Sequence, residues 1–457
     1  MSEAPKAGRP FETRRTTPAV SPARACAYAV LRRVFEQGAW ADRALHGEAR
    51  RHRLDGRERA LAMRLAYGAV QRAATLDHVA CELSRRPPER LDAPVKATLR
   101  LGLFQLVFLD RVPAHAAVTE AVELAKRDAP RAAGLVNAVL RRAAREARAL
   151  VAALPDRTPE EAALRHSHPR WVAELWFEAL GPEQARAALA ADNEPAESVL
   201  RANTLRTDPA ALAARLPVPS RPDERLPEAL VLDGPLDAFG TPEFDDGLFM
   251  PQSRAAIAVG RLLAPEPGEN VLDLCAAPGA KTTHLAALMA NRGTIVAVER
   301  HAGRADALRR TAERMGAANV EVRTADATLP QPGGPFDRVL VDPPCSDLGT
   351  LASRPDARWR KAGRPEALAA TQLTVLRAGA AVLRPGGTLV YSTCTISPTE
   401  NERVVEGFLA ERPDFTADDL ASDLPFWKHP TMPRHLQTLP HRDRTDGFFI
   451  ARLRRLR

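Results

Sequence analysis

The spacing of apolar positions divides the chain into a helical half and a mixed half. From residue 23 to about 148, apolar residues recur at intervals of three and four, and glycine and proline are sparse, which predicts amphipathic helices. Residues 95–109 are apolar on nearly every side and are predicted to form the central helix of a bundle. We therefore predict an all-α domain over residues 23–150. The polar, basic and aperiodic residues 1–22 are expected to be a disordered tail.

The pattern changes after residue 150. Residues 151–169 contain Pro155, Pro159 and Pro169 and are predicted to be a linker. Residues 170–255 combine a helical stretch at 171–191, an extended run at 198–203 and a second helix near 209–215. This alternation predicts a small α+β module between the two larger parts of the chain.

From residue 262 onward, short apolar runs alternate with helical segments. The runs lie at 271–274, 294–299, 320–323, 338–341 and 388–392, and a late strand is predicted at 447–453. This alternation is typical of a parallel sheet with helices on both faces. We expect a Rossmann-like α/β domain over residues 256–457.

Composition narrows the class of protein. No stretch reaches the ~18 apolar residues of a membrane helix, the start lacks the apolar region of a signal peptide, and five cysteines in 457 residues do not make a disulfide framework. We expect a cytoplasmic protein that makes no membrane contact. The net charge of +8 favours a polyanionic partner. However, six of the 65 basic residues are lysines and the rest are arginines, so a general arginine bias explains the charge equally well.

The turn after the first strand of the α/β domain consists of small residues that let a ligand approach the backbone. The segment reads Asp273-Leu274-Cys275-Ala276-Ala277-Pro278-Gly279-Ala280-Lys281-Thr282-Thr283. Glu299 ends the next strand, in a position to bind a ribose diol, and Asp326 follows the third strand. We favour an adenosine-containing ligand. The alternatives are another nucleotide, or a helix-capping role for Asp326.

Two cysteines follow two later strands. Cys345 comes after Asp342 and two prolines, and Cys394 ends the run 390–394. Neighbouring strands lie ~4.8 Å apart, so these cysteines flank one pocket if their strands are adjacent. A lone cysteine is usually an inert apolar residue, but a pair at the ligand ends of two strands indicates chemistry. The further cysteine and histidine ligands of a zinc site are lacking, so we predict no metal.

These motifs resemble those of a known family. CAAPGAKT, DPPCS and YSTCT are similar to the motifs of RNA cytosine-C5 methyltransferases that use S-adenosylmethionine. LRANTL and FMPQSRAA resemble the region before the catalytic domain of that family, and VPAHAAVTEAVELAK resembles a NusB-like RNA-binding domain. The combination is identified with the bacterial 16S ribosomal RNA cytosine-C5 methyltransferases of the Sun/Fmu type. The resemblance covers nearly the whole chain from about residue 23.

The resemblance implies a role for each candidate residue. Residues 275–281, Glu299, Asp326 and Asp342 would bind S-adenosylmethionine, Cys394 would be the nucleophile, and Cys345 would assist release of the methylated base. Asp342 would also contact the cytosine. The chain departs from the family pattern at Ala280, where glycine is frequent, and at Glu299, where aspartate is common.

The reaction independently requires such groups. Cytosine C5 attacks a sulfonium methyl group only weakly, and a thiolate that adds to C6 makes C5 nucleophilic. The target base must be unstacked, so loops are better substrates than duplex. The basic clusters at 49–59 and 141–148 would contact phosphates, or they are ordinary solvated helix faces.

The predicted partner is therefore 16S ribosomal RNA, and no obligate protein partner is evident. Two alternatives remain: a transfer RNA cytosine-C5 methyltransferase, and a non-catalytic RNA-binding assembly or antitermination factor.

Overall fold

Seven helices enclose one apolar core at the N-terminal end of the protein. The computed structural model describes residues 20–360 and 365–457, so most of the predicted tail lies outside the described residues. The helices are α1 (Pro22–Gln37), α2 (Ala41–Arg51), α3 (Gly56–Gln71), α4 (Ala73–Ser84), α5 (Ala93–Phe108), α6 (Ala114–Asp128) and α7 (Ala133–Ala152). Helix α5 is buried on nearly every side, with α1, α3, α4, α6 and α7 packed around it. The predicted all-α bundle with an apolar central helix is confirmed.

The predicted linker contains a helix. After α7 the chain forms α8 (Pro159–His166) and α9 (Arg170–Ala191). Thr158 and Glu161 form a capping box around Pro159, the first residue of α8. Proline is favoured at this position because its missing N–H has no partner in the first turn of a helix, so here it starts a helix instead of marking a linker. Helices α8 and α9 pack against Leu348 and Ile396, which lie close to the two candidate cysteines in sequence.

A small antiparallel sheet follows, in the order β2-β3-β1-β4. Its elements are β1 (Val199–Ala202), α10 (Pro209–Arg215), β2 (Ser220–Pro222), β3 (Ala229–Leu232), α11 (Pro242–Asp245) and β4 (Phe249–Pro251). Asp208 caps α10 by accepting a hydrogen bond from the N–H of Ala211. The predicted α+β module is confirmed.

The C-terminal half is a mixed sheet between helices. The strands are β5 (Asn270–Leu274), β6 (Thr294–Glu299), β7 (Val320–Thr324), β8 (Phe336–Val341), β9 (Leu383–Thr393), β10 (Phe415–Ala417), β11 (Leu436–Gln437) and β12 (Phe449–Arg455). The helices are α12 (Arg254–Leu263), α13 (Ala280–Leu288), α14 (Ala302–Met315), α15 (Pro365–Ala381), α16 (Glu402–Glu411) and α17 (Pro440–Asp443).

The order of the large sheet locates its ligand edge. The order is β10-β12-β9-β8-β5-β6-β7. Strands β5 to β9 are mutually parallel, whereas β12 returns antiparallel along β9. This confirms the predicted Rossmann-like class and adds an antiparallel edge. The chain runs outward in opposite directions from β5 and β8, and ligands of such sheets bind beyond the carboxyl ends of the strands at this switch point.

A buried arginine joins the helical bundle to the C-terminal half of the protein. Arg358 has no exposed surface, and its two terminal nitrogens donate five hydrogen bonds. The acceptors are the carbonyl oxygens of Gln71, Ser167, Asp192 and Leu351 and Oδ1 of Asn193. Next to it, Trp359 Nε1 donates to the carbonyl of Val70 at 2.7 Å. The loop after the Cys345 motif is therefore attached directly to the bundle.

Among the described residues, no helix is long and apolar enough to span a membrane.

Candidate active site

The two candidate cysteines meet beyond the ends of adjacent strands. Strand β8 pairs with β9 in parallel, with Val341 opposite Tyr391. Cys345 and Cys394 follow these strands, and their Sγ atoms are 3.3 Å apart. A separation of 49 residues in sequence thus becomes direct contact, because the carboxyl ends of parallel strands lie along one edge of the sheet.

A buried polar network holds the two cysteine loops together. Ser346 Oγ is 2.8 Å from Thr395 Oγ1, which links the residues that directly follow the two cysteines. The Glu400 carboxylate accepts hydrogen bonds from the N–H and Oγ of Ser346 and from Gln372 Nε2. Since a fully satisfied buried network restricts the positions of its members, it defines the distance between the two sulfurs.

Two glycines allow the cysteine loops to approach a third segment. The N–H of Gly349 donates to the carbonyl of Cys394 at 2.9 Å, and the N–H of Gly447 donates to the carbonyl of Gly349 at 2.7 Å. A Cβ atom on Gly349 would lie 1.9 Å from the Gly447 oxygen. Because any side chain at position 349 would collide with this backbone oxygen, the contact requires glycine there.

Asp342 connects the cysteine strands to the small-residue turn. Its Oδ2 is 2.7 Å from Lys281 Nζ, and its Oδ1 accepts a hydrogen bond from Ser392 Oγ at 2.9 Å. Burial alone would lower the pKa of Lys281, but the charge and hydrogen bond of Asp342, together with the nearby Cys394 and Asp273, offset this effect and raise that pKa. Lys281 is therefore a cation that orients the Asp342 carboxylate.

The small-residue turn after β5 needs a special backbone. Cys275 has φ 64° and Gly279 has φ 104°, both in the left-handed region. A Cβ atom on Gly279 would come within 2.6 Å of Leu308 Cδ1, so glycine lets helix α14 pack closely against the turn. Helix α13 begins at Ala280, and the N–H groups of its first turn lack partners within the helix. They are available to a ligand.

Acidic side chains occupy the neighbouring strand ends. Glu299 is buried at the end of β6, where its oxygens contact the N–H of His301 at 2.9 Å and Arg304 Nε at 3.3 Å. Asp326 follows β7 and accepts hydrogen bonds from the N–H and Oγ1 of Thr328, which lower its pKa. Asp326 thus closes a local turn and does not cap a helix.

Asp273 is a buried acid that the sequence reasoning did not single out. One oxygen accepts a hydrogen bond from Thr282 Oγ1 at 2.7 Å, and the other, Oδ1, is buried with no hydrogen-bond partner. Burial raises the pKa of Asp273 to about 7. It underlies the turn and leaves one acceptor atom unused.

Asp347 is a second acid that the sequence reasoning missed. Cys394 Sγ donates a hydrogen bond to Asp347 Oδ1 at 3.0 Å, and Arg354 Nη1 is 3.1 Å from the same oxygen. Cys345, Asp347 and Cys394 thus present three potential metal-ligand atoms within 4.8 Å of one another. A structural zinc site usually has four protein ligands, and the absence of a metal stays a prediction.

The surroundings of Cys394 favour the neutral thiol. The hydrogen bond with Cys345, burial and the nearby Asp347 charge raise the pKa of Cys394 well above that of an ordinary thiol. Burial likewise raises the pKa of Cys275 to about 12. The reaction requires the thiolate form of Cys394. In the protein alone the proton stays on sulfur, because the cysteine faces another thiol and a carboxylate.

The fold and this site define a Rossmann-like methyltransferase with an N-terminal helical domain. Residues 260–454 match the family described as 16S rRNA methyltransferase RsmB/F. Residues 21–145 match the NusB family, and residues 168–238 match the ferredoxin-like domain of RsmF/B-like methyltransferases. The chain belongs to the RsmB/F family of 16S rRNA methyltransferases, which confirms the resemblance to the Sun/Fmu type.

Similar proteins match over most of the chain. The probable ribosomal RNA small subunit methyltransferase B of Synechocystis sp. is 35% identical over 95% of this chain and 99% of that protein. The ribosomal RNA small subunit methyltransferase B of Pseudomonas putida is 37% identical over 88% and 91%.

Solved structures share the fold. The crystal structure of PH0851 has a TM-score of 0.81 and 27% identity, covering 95% of this chain and 99% of that one. The structure of NSun6 from Pyrococcus horikoshii with SFG has a TM-score of 0.57 and 25% identity, covering 63% and 98%.

Proposed function

We propose that this protein transfers a methyl group from S-adenosylmethionine to C5 of a specific cytosine in 16S ribosomal RNA, with Cys394 forming a covalent bond to C6. The observation that carries this proposal is the 3.3 Å contact between the sulfurs of Cys345 and Cys394. It lies beyond the carboxyl ends of β8 and β9, beside the switch point of a sheet whose first turn suits an adenosine ligand. Membership of the RsmB/F family and relatives named as small-subunit methyltransferases support it.

The residues around the β5 turn fit S-adenosylmethionine. The turn offers the N–H groups at the start of α13, and Glu299 offers a carboxylate for the ribose hydroxyls. Asp326 would lie on the adenine side, and Asp342 with Lys281 on the side of the reacting group. The unused Oδ1 of Asp273 indicates an acceptor that the protein's own side chains leave unsatisfied. S-Adenosylmethionine, when bound, supplies an electrophilic methyl group on a cationic sulfonium.

The two thiols divide the reaction between them. Addition of Cys394 Sγ to C6 moves the electron pair of the C5–C6 bond onto C5, and C5 then accepts the methyl group. Afterwards C5 loses its proton and the bond between C6 and sulfur breaks. Cys345, in contact with the sulfur that must leave, would assist this release. Asp342, oriented by Lys281 and Ser392, would bind the edge of the cytosine.

The helical domain offers a surface for RNA phosphates. Arg141 and Arg145 are exposed one turn apart on α7, next to a cavity of about 340 Å³ lined by His115, Thr119 and Asn137. Phosphate contacts of this kind position RNA without reading its sequence. The surface supports an RNA partner whose target base is presented to the catalytic half.

The experiment is methyl transfer to RNA without modifications. Small-subunit RNA transcribed in vitro is incubated with the protein and S-adenosylmethionine labelled in its methyl group, and the digested nucleosides are separated. We expect label in 5-methylcytidine, none with Cys394→Ala, and unchanged label with Cys81→Ala, a free cysteine in α4 of the bundle.

Other outcomes identify the alternatives. Label that appears only in a transfer RNA pool would assign the chemistry to a transfer RNA substrate. Absence of S-adenosylmethionine binding in isothermal titration would favour a non-catalytic RNA-binding factor. Label at a position other than C5 of cytosine would contradict the proposed role of Cys394.

A further inference from the structure

We propose that Asp347 is a catalytic residue that acts as the general base for Cys394, accepting the thiol proton while the sulfur attacks the base. This assignment rests on the proposed function and adds a group to it. It assigns to Asp347 a proton transfer that neither the second cysteine nor Asp342 performs in the scheme above.

Contact with the nucleophile distinguishes Asp347 from the other acids. Its Oδ1 lies 3.0 Å from Cys394 Sγ, with the thiol as donor, which is within reach of direct proton transfer. Asp342 is engaged by Lys281 and Ser392, and Glu400 by Ser346 and Gln372. Across residues 20–360 and 365–457, Asp347 is the one carboxylate hydrogen-bonded to a cysteine sulfur.

The loop holds this carboxylate in place. Asp347 has φ 58°, a left-handed conformation that is uncommon for residues other than glycine, asparagine and aspartate. The N–H and Oγ1 of Thr350 both donate to its carbonyl oxygen, at 3.0 and 2.9 Å. Arg354 Nη1 contacts Oδ1 at 3.1 Å. About 22% of the side chain remains exposed, so the carboxylate faces both the thiol and the open side of the site.

A base is needed because the nucleophile starts as a thiol. The environment of Cys394 raises its pKa, and a thiol is a much weaker nucleophile than a thiolate. With Asp347 as base, the S–H bond breaks as an O–H bond forms on the carboxylate, and the sulfur electron pair forms the bond to C6. When the C6–S bond breaks later, the sulfur regains its proton from Asp347. The proton lost from C5 leaves by another route, so the net reaction releases one proton.

The same contact has a competing explanation. A carboxylate beside a thiol also disfavours the thiolate, so Asp347 would merely keep Cys394 unreactive. The two roles predict opposite effects of removing the charge. If Asp347 is a general base, the Asp347→Asn variant forms the adduct more slowly than the unaltered protein. If the carboxylate is merely inhibitory, the variant forms the adduct faster.

The test measures covalent adduct formation directly. Small-subunit RNA transcribed with 5-fluorocytidine in place of cytidine is mixed with S-adenosylmethionine and the full-length protein. Fluorine at C5 cannot leave as a proton does, so the adduct persists and is counted on denaturing gels. We expect Asp347→Asn, which suits the same backbone conformation, to slow adduct formation about 100-fold or more. Its affinity for S-adenosylmethionine should be unchanged. Asp419→Asn, an exposed aspartate after β10, is the matched control and should react at the normal rate.

A rescue experiment separates base catalysis from loop geometry. Asp347→Gly also fits φ 58° and opens space beside the thiol, so added formate should restore much of its adduct rate and leave Asp347→Asn unaffected. An Asp347→Asn rate within threefold of normal, or above it, would overturn the assignment of Asp347. Absence of a Cys394-dependent adduct in the unaltered protein would overturn the proposed function as well. The two failures are thus distinguishable.

Discussion

Replacing Arg358 by methionine should loosen the contact between the helical bundle and the catalytic half. The guanidinium is fully buried and donates five hydrogen bonds, four of them to carbonyl oxygens that come from both halves of the protein. Methionine fills a similar volume and donates none. The substitution therefore leaves five buried acceptors without this donor.

The magnitude follows from two opposing contributions. A hydrogen bond to a charged group stabilises a protein by ~1.5–3 kcal/mol. The hydration that the guanidinium loses on burial costs several kcal/mol and offsets part of the stabilisation from the five hydrogen bonds. Burial also lowers the pKa of Arg358 to about 10, consistent with that cost. We expect Arg358→Met to reduce the free energy of unfolding by about 3–5 kcal/mol. Arg358→Lys should recover less than half of this loss, because a single ammonium cannot reach all five acceptors.

The assay is urea denaturation followed by tryptophan fluorescence. Trp359 contacts the bundle through Val70 and reports on this interface, and Arg403→Met, at an exposed position on α16, is the control. Surface substitutions usually change stability by less than ~0.5 kcal/mol. Equal effects of the two substitutions would refute the argument that Arg358 anchors the bundle.

Three further predictions concern the site and the RNA surface. Cys345→Ala should accumulate a covalent protein–RNA species on denaturing gels, because release of the base is impaired; accumulation with Cys394→Ala instead would exchange the roles of the two cysteines. In the protein alone, the rate at which iodoacetamide alkylates Cys394, measured by mass spectrometry, should be low at pH 7 and rise through pH 9. A raised thiol pKa leaves little thiolate at neutral pH. A rate already at its maximum at pH 7 would contradict the protonated resting state. Replacing Arg141 and Arg145 by alanine should weaken RNA binding in filter assays. The slope of the logarithm of the binding constant against the logarithm of the salt concentration should fall by about one for each lost phosphate contact. An unchanged slope would indicate an ordinary solvated helix face.

The periodic spacing of apolar residues along the chain was sufficient to predict the fold class. Amphipathic spacing predicted the helical bundle, and the alternation of strands and helices predicted the Rossmann-like half, because both patterns reflect burial of one face of each element. The prolines of residues 151–169 were misleading. Proline is common in linkers but is also favoured at the first position of a helix. At Pro159 the capping box formed by Thr158 and Glu161 shows that a helix begins.

By itself, the sequence determined which residues stand at the ends of the strands. Cys345, Cys394, Asp342 and the small-residue turn could be found in this way, because strand ends are marked by local patterns. Only the tertiary structure decided the contacts of Asp347, Glu400 and Arg358, whose partners lie 47, 54 and as many as 287 residues away. Hydrogen bonds and burial depend on distances in space, and nothing in the local sequence distinguishes such residues from charges on the surface.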